Sequence, residues 1–366
     1  MSGEAPGSGF LGGGFMAAVH SRAARAAGGR QVALASSSPE RARIAAAELG
    51  IEHAVDDASS LVAHPDVELV HVCTPNTQQA LAAIEAGRHV ICEKPLAVAS
   101  EDARMLAARA HEAGLVGAVP FVYRYHPAVR EARRRVAQGE LGTVLTVDAA
   151  YLQDWLMGAS DQNWRTTVAA GGASRAFADI GSHLCDLIEF VTGERIVRLT
   201  ARTRTVFPIR SGAAVANEDV AAVLVELSGG AFGTLLVSQL APGRKNALVL
   251  EIHGSESSVR FEQERPEELW IGRRAGSMLL LRDPDQDGPD AARLSRVPAG
   301  HAQGYQDAFN AFVADVHTAI AGEAPEGLPT FDDGVRAVEL TDAVLASASQ
   351  DGWIDTVPDA PAPERG

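Results

Sequence analysis

Lys94, Asp179 and His183 are the side chains whose types and spacing best suit proton transfer in this sequence. Lys94 lies in the run Glu93-Lys94-Pro95, directly after Val90-Ile91-Cys92, a short apolar run that reads as a buried strand. A lysine at the carboxyl end of such a strand stands where open α/β sheets bind their ligands. Asp179 and His183 are four residues apart in a segment expected to be helical over residues 174–190, which puts both on one helix face. An amine, an imidazole and a carboxylate are the groups that proton transfer at a hydroxyl or carbonyl requires. The plainer alternative makes Glu93 and Lys94 a surface pair and His183 a core histidine with its hydrogen bonds satisfied.

A second constellation opens the chain. Gly12-Gly13-Gly14-Phe15-Met16-Ala17 gives G-x-G-x-x-A between an expected strand and an expected helix. The first glycine permits a tight turn, the second lets backbone approach a pyrophosphate, and the small third residue allows close helix–strand packing. The helix N-terminus then attracts the anion. Gly12, Gly14, Phe15 and Met16 are therefore expected to hold a dinucleotide. An acidic residue about 20 positions on would bind the ribose of NAD. The sequence has Ser36-Ser37-Ser38 there, with Arg41 just beyond. Hydroxyls and a guanidinium accept a 2′-phosphate that a carboxylate would repel, so Ser36, Ser37 and Arg41 point to NADP as the preferred cofactor, with NAD possible. Ser38 also suits the cap of a helix beginning at Pro39, and both roles can hold at once.

These motifs need a scaffold, and the first third of the chain supplies one. Strand-like and helix-like segments alternate from Phe10 to Val119, and glycines stop the helices. Repeated β-α-β units of this kind predict an α/β Rossmann domain over residues 1–123, a parallel sheet covered on both faces. After Tyr125 the pattern changes. Helical segments over 127–138 and 174–190 flank a strand-like stretch, and long alternating runs from Ile196 to about Trp270 read as antiparallel strands. Two helices follow, over 305–321 and 332–349. Residues 124–357 are thus expected to form an α+β domain for substrate binding and oligomerisation, and 358–366 a flexible tail.

Composition sets the outer bounds. The 366 residues suffice for two ordinary domains, and 46% hydrophobic with 22% charged residues is a globular balance. The net charge of −15 disfavours nucleic acid as a partner, and the basic run Arg130 to Arg135 reads as one solvated helix face. Cys73, Cys92 and Cys185 are far apart with no metal-ligand spacing, so no metal is expected, and free thiols fit a reducing cytoplasm. No apolar run approaches the ~18 residues of a membrane span, so no membrane is expected as a partner.

In order along the chain, several motifs together resemble the glucose-fructose oxidoreductase / inositol dehydrogenase / MocA family. They are the glycine loop, then Val72-Cys73-Thr74-Pro75-Asn76, then Glu85-Ala86-Gly87-Arg88-His89 leading into Glu93-Lys94-Pro95-Leu96. Next come Tyr123-Arg124-Tyr125-His126-Pro127 and Asp179-Ile180-Gly181-Ser182-His183. Tyr151 to Trp155 and Glu251 to Gly254 look like a sugar-dehydrogenase branch of it. The resemblance implies a second domain with a large, mostly antiparallel open sheet, and a homodimer or homotetramer built through its outer face. It implies NAD(P)-dependent interconversion of a secondary hydroxyl and a ketone on a sugar or polyol. It also implies Lys94 as the catalytic lysine, Asp179 and His183 as the substrate-side pair, and Cys73, Thr74, Pro75, Asn76 and Glu93 beside the cofactor. Whether Lys94 or His183 is the principal base stays open.

Two features depart from the family pattern. Pro6-Gly7-Ser8-Gly9 stands where a clear apolar first strand is usual, which should weaken that central strand. The stretch after Asn76 is about one helical turn shorter, with Thr77-Gln78-Gln79 where a histidine is common. Candidate substrate residues are Gln153, Trp155, Trp164 and Arg165, with Tyr123 and Arg124 at the domain junction. Aromatic faces stack on sugar C–H surfaces, and polar side chains satisfy hydroxyls; ordinary packing of an aromatic edge is the alternative for Trp155. Two rival functions share this fold. An NAD-recycling glycosidase would release an aglycone without net change in cofactor absorbance, and a non-catalytic dinucleotide sensor would not require Lys94, Asp179 and His183 together.

Overall fold

Strand β1 (Gly7–Leu11) lies near the middle of a parallel sheet although its sequence is Gly-Ser-Gly-Phe-Leu. In this computed structural model, which describes residues 5–75, 77–161, 163–167 and 171–357, the sheet also contains β2 (Arg30–Ala35), β3 (His53–Ala54), β4 (Leu69–Val72), β5 (His89–Cys92) and β6 (Gly117–Ala118). Its order is β3-β2-β1-β4-β5-β6. The expected weakness of β1 is answered by its neighbours. A Cβ at Gly9 would come within 2.7 Å of a Leu61 methyl, and one at Gly7 within 2.0 Å of the Asp66 carbonyl, so the missing side chains leave no void. The Ser8 hydroxyl is fully buried beside His71.

Helices α1 (Phe15–Ala26), α2 (Pro39–Leu49), α3 (Ala58–Val62), α4 (Thr77–Glu85) and α5 (Ser100–Glu112) connect these strands. Local chemistry sets their ends. Ser38 caps α2 by accepting from Arg41 N, Pro39 takes its first turn, and Gly50 ends it at a φ of 65°. Helix α4 starts at Thr77, and Gln79 on its first turn accepts from Thr74 Oγ1.

The second unit begins with α6 (Pro127–Ala137) and a long strand β7 (Val144–Leu152). Its remaining strands are β8 (Ile196–Arg204), the short hairpin β9 (Ile209–Arg210) and β10 (Ala213–Ala214), β11 (Val220–Leu227), β12 (Phe232–Ser238), β13 (Ala247–Gly254), β14 (Ser258–Glu262), β15 (Glu268–Arg273), β16 (Gly276–Leu281) and β17 (Ile354–Asp355). Nine of them form one sheet in the order β16-β15-β14-β13-β7-β12-β11-β8-β17, in which β7 and β12 are the parallel pair. Alternate residues such as Val147, Ala149, Tyr151, Leu250, Ile252, Val223 and Val237 are buried, leaving their neighbours on the outer face. The segment expected as one helix over 174–190 is wound in two ways. Phe177–Gly181 form a π turn, and a regular helix α7 (Ser182–Thr192) follows. A short helix α8 (Pro289–Ala292) also lies in this unit, to which residues 339–357 belong as well.

The chain then returns. Residues 303–338 belong with 1–126 in the first unit, whereas the sequence places them with the second domain; the break at His126 lies close to the expected 123/124 boundary. The reason is the apolar face of α9 (Tyr305–Ile320). Phe309 packs 4.9 Å from the His20 ring, Phe312 packs 5.8 Å from Tyr125, and Gln306 donates to Val19 O. Helix α10 (Phe331–Gln350) follows it. Residues 358–366, expected to be a tail, lie outside the described residues. Among the described residues no helix is long and apolar enough to cross a membrane, and no group of three His, Cys, Asp or Glu side chains could hold a metal ion.

Candidate active site

The carboxyl ends of β1, β2, β4 and β5 gather the glycine loop, Ser36 to Ser38, Cys73 to Pro75, and Glu93-Lys94 along one edge of the first sheet. Chain order reverses between β1 and β4, which is where such sheets bind nucleotides. Gly12 sits at a φ of 113°, a conformation that favours glycine, and its N–H donates to Ala35 O at 2.9 Å. A Cβ at Gly13 would lie 2.8 Å from Ala45 Cβ, so glycine there lets the loop close on α2. At Gly14 an added Cβ would meet nothing within 4 Å.

Helix α1 has no side-chain cap and no acidic residue in its first turn, so its leading N–H groups are left for an anion. Phe15, 73% exposed, adds an open apolar ring at the same place. Arg41 Nη1 donates to Ser37 Oγ at 3.1 Å while its backbone N–H donates to Ser38 Oγ, so capping by Ser38 and a guanidinium beside Ser37 coexist. Burial pushes the Cys73 thiol well above its ordinary range and Cys92 up to about 12, with Glu93 adding to both, so neither is a thiolate nucleophile. The Lys94–Pro95 peptide is cis, and Lys94 N donates to Glu93 Oε2 at 3.3 Å. Asn76 lies outside the described residues. An uncapped helix start, an open glycine cradle and a strand-end lysine fit a dinucleotide.

In the second unit the π turn carries Asp179 and α7 carries His183; both side chains are buried. Each oxygen of Asp179 has a donor: Arg165 Nε lies 3.2 Å from Oδ1, and Gln239 Nε2 donates to Oδ2 at 3.0 Å. The Arg165 guanidinium also lies over the Trp164 ring at 4.3 Å. The His183 ring is 6.2 Å from Tyr151, whose hydroxyl donates to Asn246 Oδ1 at 2.6 Å. Gln153 Nε2 donates to the same oxygen, and Trp155 Nε1 donates to Gln153 Oε1. Trp155 and Trp164 are 37% and 38% exposed, leaving ring surface for a ligand. Arg165, Asp179 and Gln239, with Trp164 beside Arg165, form one cluster in this unit, and Tyr151, Asn246, Gln153 and Trp155 form a second, with the His183 ring beside Tyr151.

Tyr123, Arg124 and Lys94 belong to the first unit. Tyr123 stacks on His126 at 5.9 Å, and Arg124 Nη2 donates to Asp333 Oδ1 at 2.8 Å. Asp333 also receives Thr330 N, so Arg124 is tied to the start of α10.

Sequence reasoning missed Gln239, Asn246, Tyr151 as a partner of His183, and Glu218 with Asp219. Glu218 accepts from Ser174 Oγ at 2.7 Å and from the N–H groups of Arg175 and Phe177, capping the π turn from another part of the chain. Asp219, fully buried, bonds Arg175 and Arg210 and the N–H groups of Val206 and Phe207. The available signal was Asn217-Glu218-Asp219, three polar residues abutting an apolar strand. Ser8, His20 and His71 gave no signal beyond ordinary core positions.

Comparison with known proteins covers both units. Residues 7–121 match the family model for the oxidoreductase family, NAD-binding Rossmann fold, and residues 129–260 match that for the GFO/IDH/MocA C-terminal domain. The levoglucosan dehydrogenase of Pseudarthrobacter phenanthrenivorans is 32% identical, across 95% of this chain and 97% of that protein. An oxidoreductase domain protein from Kribbella flavida superposes with a TM-score of 0.91 at 35% identity, covering 97% of this chain and 100% of that one. A levoglucosan dehydrogenase complex with NADH and L-sorbose superposes with a TM-score of 0.90 at 31% identity, covering 96% and 99%.

Proposed function

The chain belongs to the GFO/IDH/MocA oxidoreductase family, and from that premise we propose that it interconverts a secondary hydroxyl and a ketone on a sugar, polyol or related carbohydrate. The observation that supports this most is Lys94, a lysine at the nucleotide edge of a sheet whose first helix start is left uncapped. A bound dinucleotide supplies the hydride acceptor or donor. His183 takes the hydroxyl proton as general base, and Asp179, held by Arg165 and Gln239, favours the protonated imidazole. Lys94 hydrogen-bonds the reacting oxygen and shares in the proton transfer. Trp155 and Trp164 offer faces to the sugar ring, while Gln153, Arg165, Tyr123 and Arg124 bind hydroxyls.

Arg41 beside Ser37 favours NADP over NAD, although a solved relative with a sugar bound carries NADH. The three free cysteines suit a reducing cytoplasm. The outer sheet face presents the cross-strand row Ala222, Leu236, Ala150 and Val249, with Leu224 and Phe232 exposed nearby, and we assign to it a homodimer or homotetramer contact.

The test is a panel of sugars, anhydrosugars such as levoglucosan, and inositols, assayed by nicotinamide absorbance with NADP and with NAD. Turnover is expected with NADP ahead, and Lys94→Ala or His183→Ala should cut it by a factor of ~10² or more in folded protein. Near-wild-type turnover in both variants would refute the mechanism, and a large advantage for NAD would refute the cofactor assignment. Light scattering reads the assembly; a monomer at micromolar concentration overturns that part.

A further inference from the structure

Ser8, His71, His20 and Glu93 form a continuous hydrogen-bonded chain through the first unit. Ser8 Oγ lies 3.3 Å from His71 Nε2, His71 Nδ1 lies 3.0 Å from His20 Nδ1, and His20 Nε2 lies 3.0 Å from Glu93 Oε1. The four side chains come from four elements: β1, β4, α1 and the loop after β5. Ser8, His20 and His71 are fully buried, while the Glu93 side chain is 13% exposed. Phe10 stacks on His71 at 4.7 Å, and Phe309 closes on His20 at 4.9 Å, so apolar rings wall the chain.

The chain's chemistry fixes its protons. An ionised carboxylate only accepts, so His20 Nε2 carries a hydrogen. The two facing Nδ1 atoms share a single proton. With both rings neutral that proton is on His71, whose bare Nε2 then accepts from the Ser8 hydroxyl. Every donor and acceptor in the chain is matched in this state, and the two histidines are opposite tautomers. Burial, with the neighbouring His20 and His317 rings adding to it, holds His71 well below the ordinary histidine range, which keeps that ring neutral.

We propose that His20, backed by His71 and Ser8, is a positioning residue for Lys94: it fixes the Glu93 carboxylate, whose second oxygen receives the Lys94 backbone N–H. The role deepens the dehydrogenase reading, since Lys94 is there the group on the reacting oxygen. One end of the carboxylate is pinned inside the core and the other holds the backbone of the residue that must point at the ligand. A loose Glu93 would let that strand end shift, and a displacement of an ångström can cost roughly 10²-fold in turnover.

Three readouts test this on the full-length protein. Histidine-selective ¹⁵N NMR at neutral pH should show one buried neutral ring protonated at Nε2 and one at Nδ1, assigned with His20→Gln and His71→Asn. The sequence has only two lysines, Lys94 and Lys245, so ¹³C reductive methylation gives two side-chain signals with Lys245 as internal reference. His20→Leu should move the Lys94 signal and its titration and leave that of Lys245 in place. His20→Gln, which keeps a donor toward Glu93, should restore most of the Lys94 signal, and in turnover His20→Leu should lower kcat roughly tenfold or more with KM nearly unchanged. Two Nε2–H tautomers, or a Lys94 signal indifferent to His20→Leu, overturns the proposal. A wild type with no nicotinamide-dependent turnover but with both NMR signatures overturns the dehydrogenase reading alone.

Discussion

Gln239 is fully buried; its amide N–H is held by Asp179 Oδ2, while its carbonyl oxygen meets no donor among the described residues. An unmatched buried acceptor costs about 1–3 kcal/mol, so fixing Asp179 is the gain that offsets it. Gln239→Glu makes the role visible. When protonated, the new carboxyl donates to Asp179 as the amide did; when ionised, it faces a second negative charge. Like charges this close raise one pKa strongly. The variant should therefore match wild type on the acid side and lose kcat as pH rises through that raised value, while Gln239→Leu loses kcat at every pH. A kcat profile for Gln239→Glu parallel to wild type would contradict the role. Lys94, Asp179 and His183 could be named as candidates from the sequence because their side-chain types and spacing are visible there. Gln239, Tyr151 and Asn246 could not be, since an amide or phenol on an alternating strand looks the same whether it faces water or a buried carboxylate.

The elements show where spacing misleads. A separation of four between Asp179 and His183 implies one face of a regular helix, but the segment enters through a π turn, Phe177–Gly181. Its start has no side-chain cap of its own, and Glu218 supplies one from over forty residues away. A contact that distant in sequence leaves no local signature. The α/β alternation, glycine stops and Ser38-Pro39 helix start were legible because their causes are local. The first strand misled for the complementary reason: the space at Gly9 is filled by Leu61 and Val67 and that at Gly7 by Asp66 and Val32, which only the fold brings near. Glu218→Ala removes acceptors from Ser174, Arg175 and Phe177 together, and should cost about 2–4 kcal/mol. Hydrogen exchange over residues 175–183 should quicken more than in the sheet, and kcat should fall more than KM rises. Unchanged exchange there would show that the π turn stands without its distant cap.

At the scale of the whole molecule, the two units carry different buried ionisable groups, so acid should separate them. His71, His89, His126 and His317 all lie in the first unit, and burial is the leading cause holding each below the ordinary histidine value; His126 is held down to about 4. The unfolded chain takes up these protons near 6.5, while the folded unit refuses them until much lower pH. Stability from each neutral histidine is thus complete above about 6.5, drains as pH falls toward the folded value, and is level below it. The slope is at most about 1.4 kcal/mol per pH unit for each such group. In the second unit the depressed groups include the carboxylates of Asp219 and Glu131. Burial opposes ionisation of Asp219 and Glu131, but hydrogen bonds and charges from Arg210 and Arg175 at Asp219, and from Arg134 and Arg135 at Glu131, outweigh it. Their contribution is complete above the ordinary carboxylate range and is lost only as pH falls through their lowered values. Acid also neutralises part of the −15 net charge, which relieves self-repulsion in both units and does not reverse their order. Between pH 6.5 and about 4.5 the nucleotide-binding unit should therefore open first. Hydrogen exchange at pH 7.5, 6 and 5 should show protection falling in the parallel sheet while the nine-stranded sheet holds, and His126→Phe should flatten part of that loss. Equal loss of protection in both sheets, or a steeper loss in the second, would mean that these histidines are protonated in the folded unit.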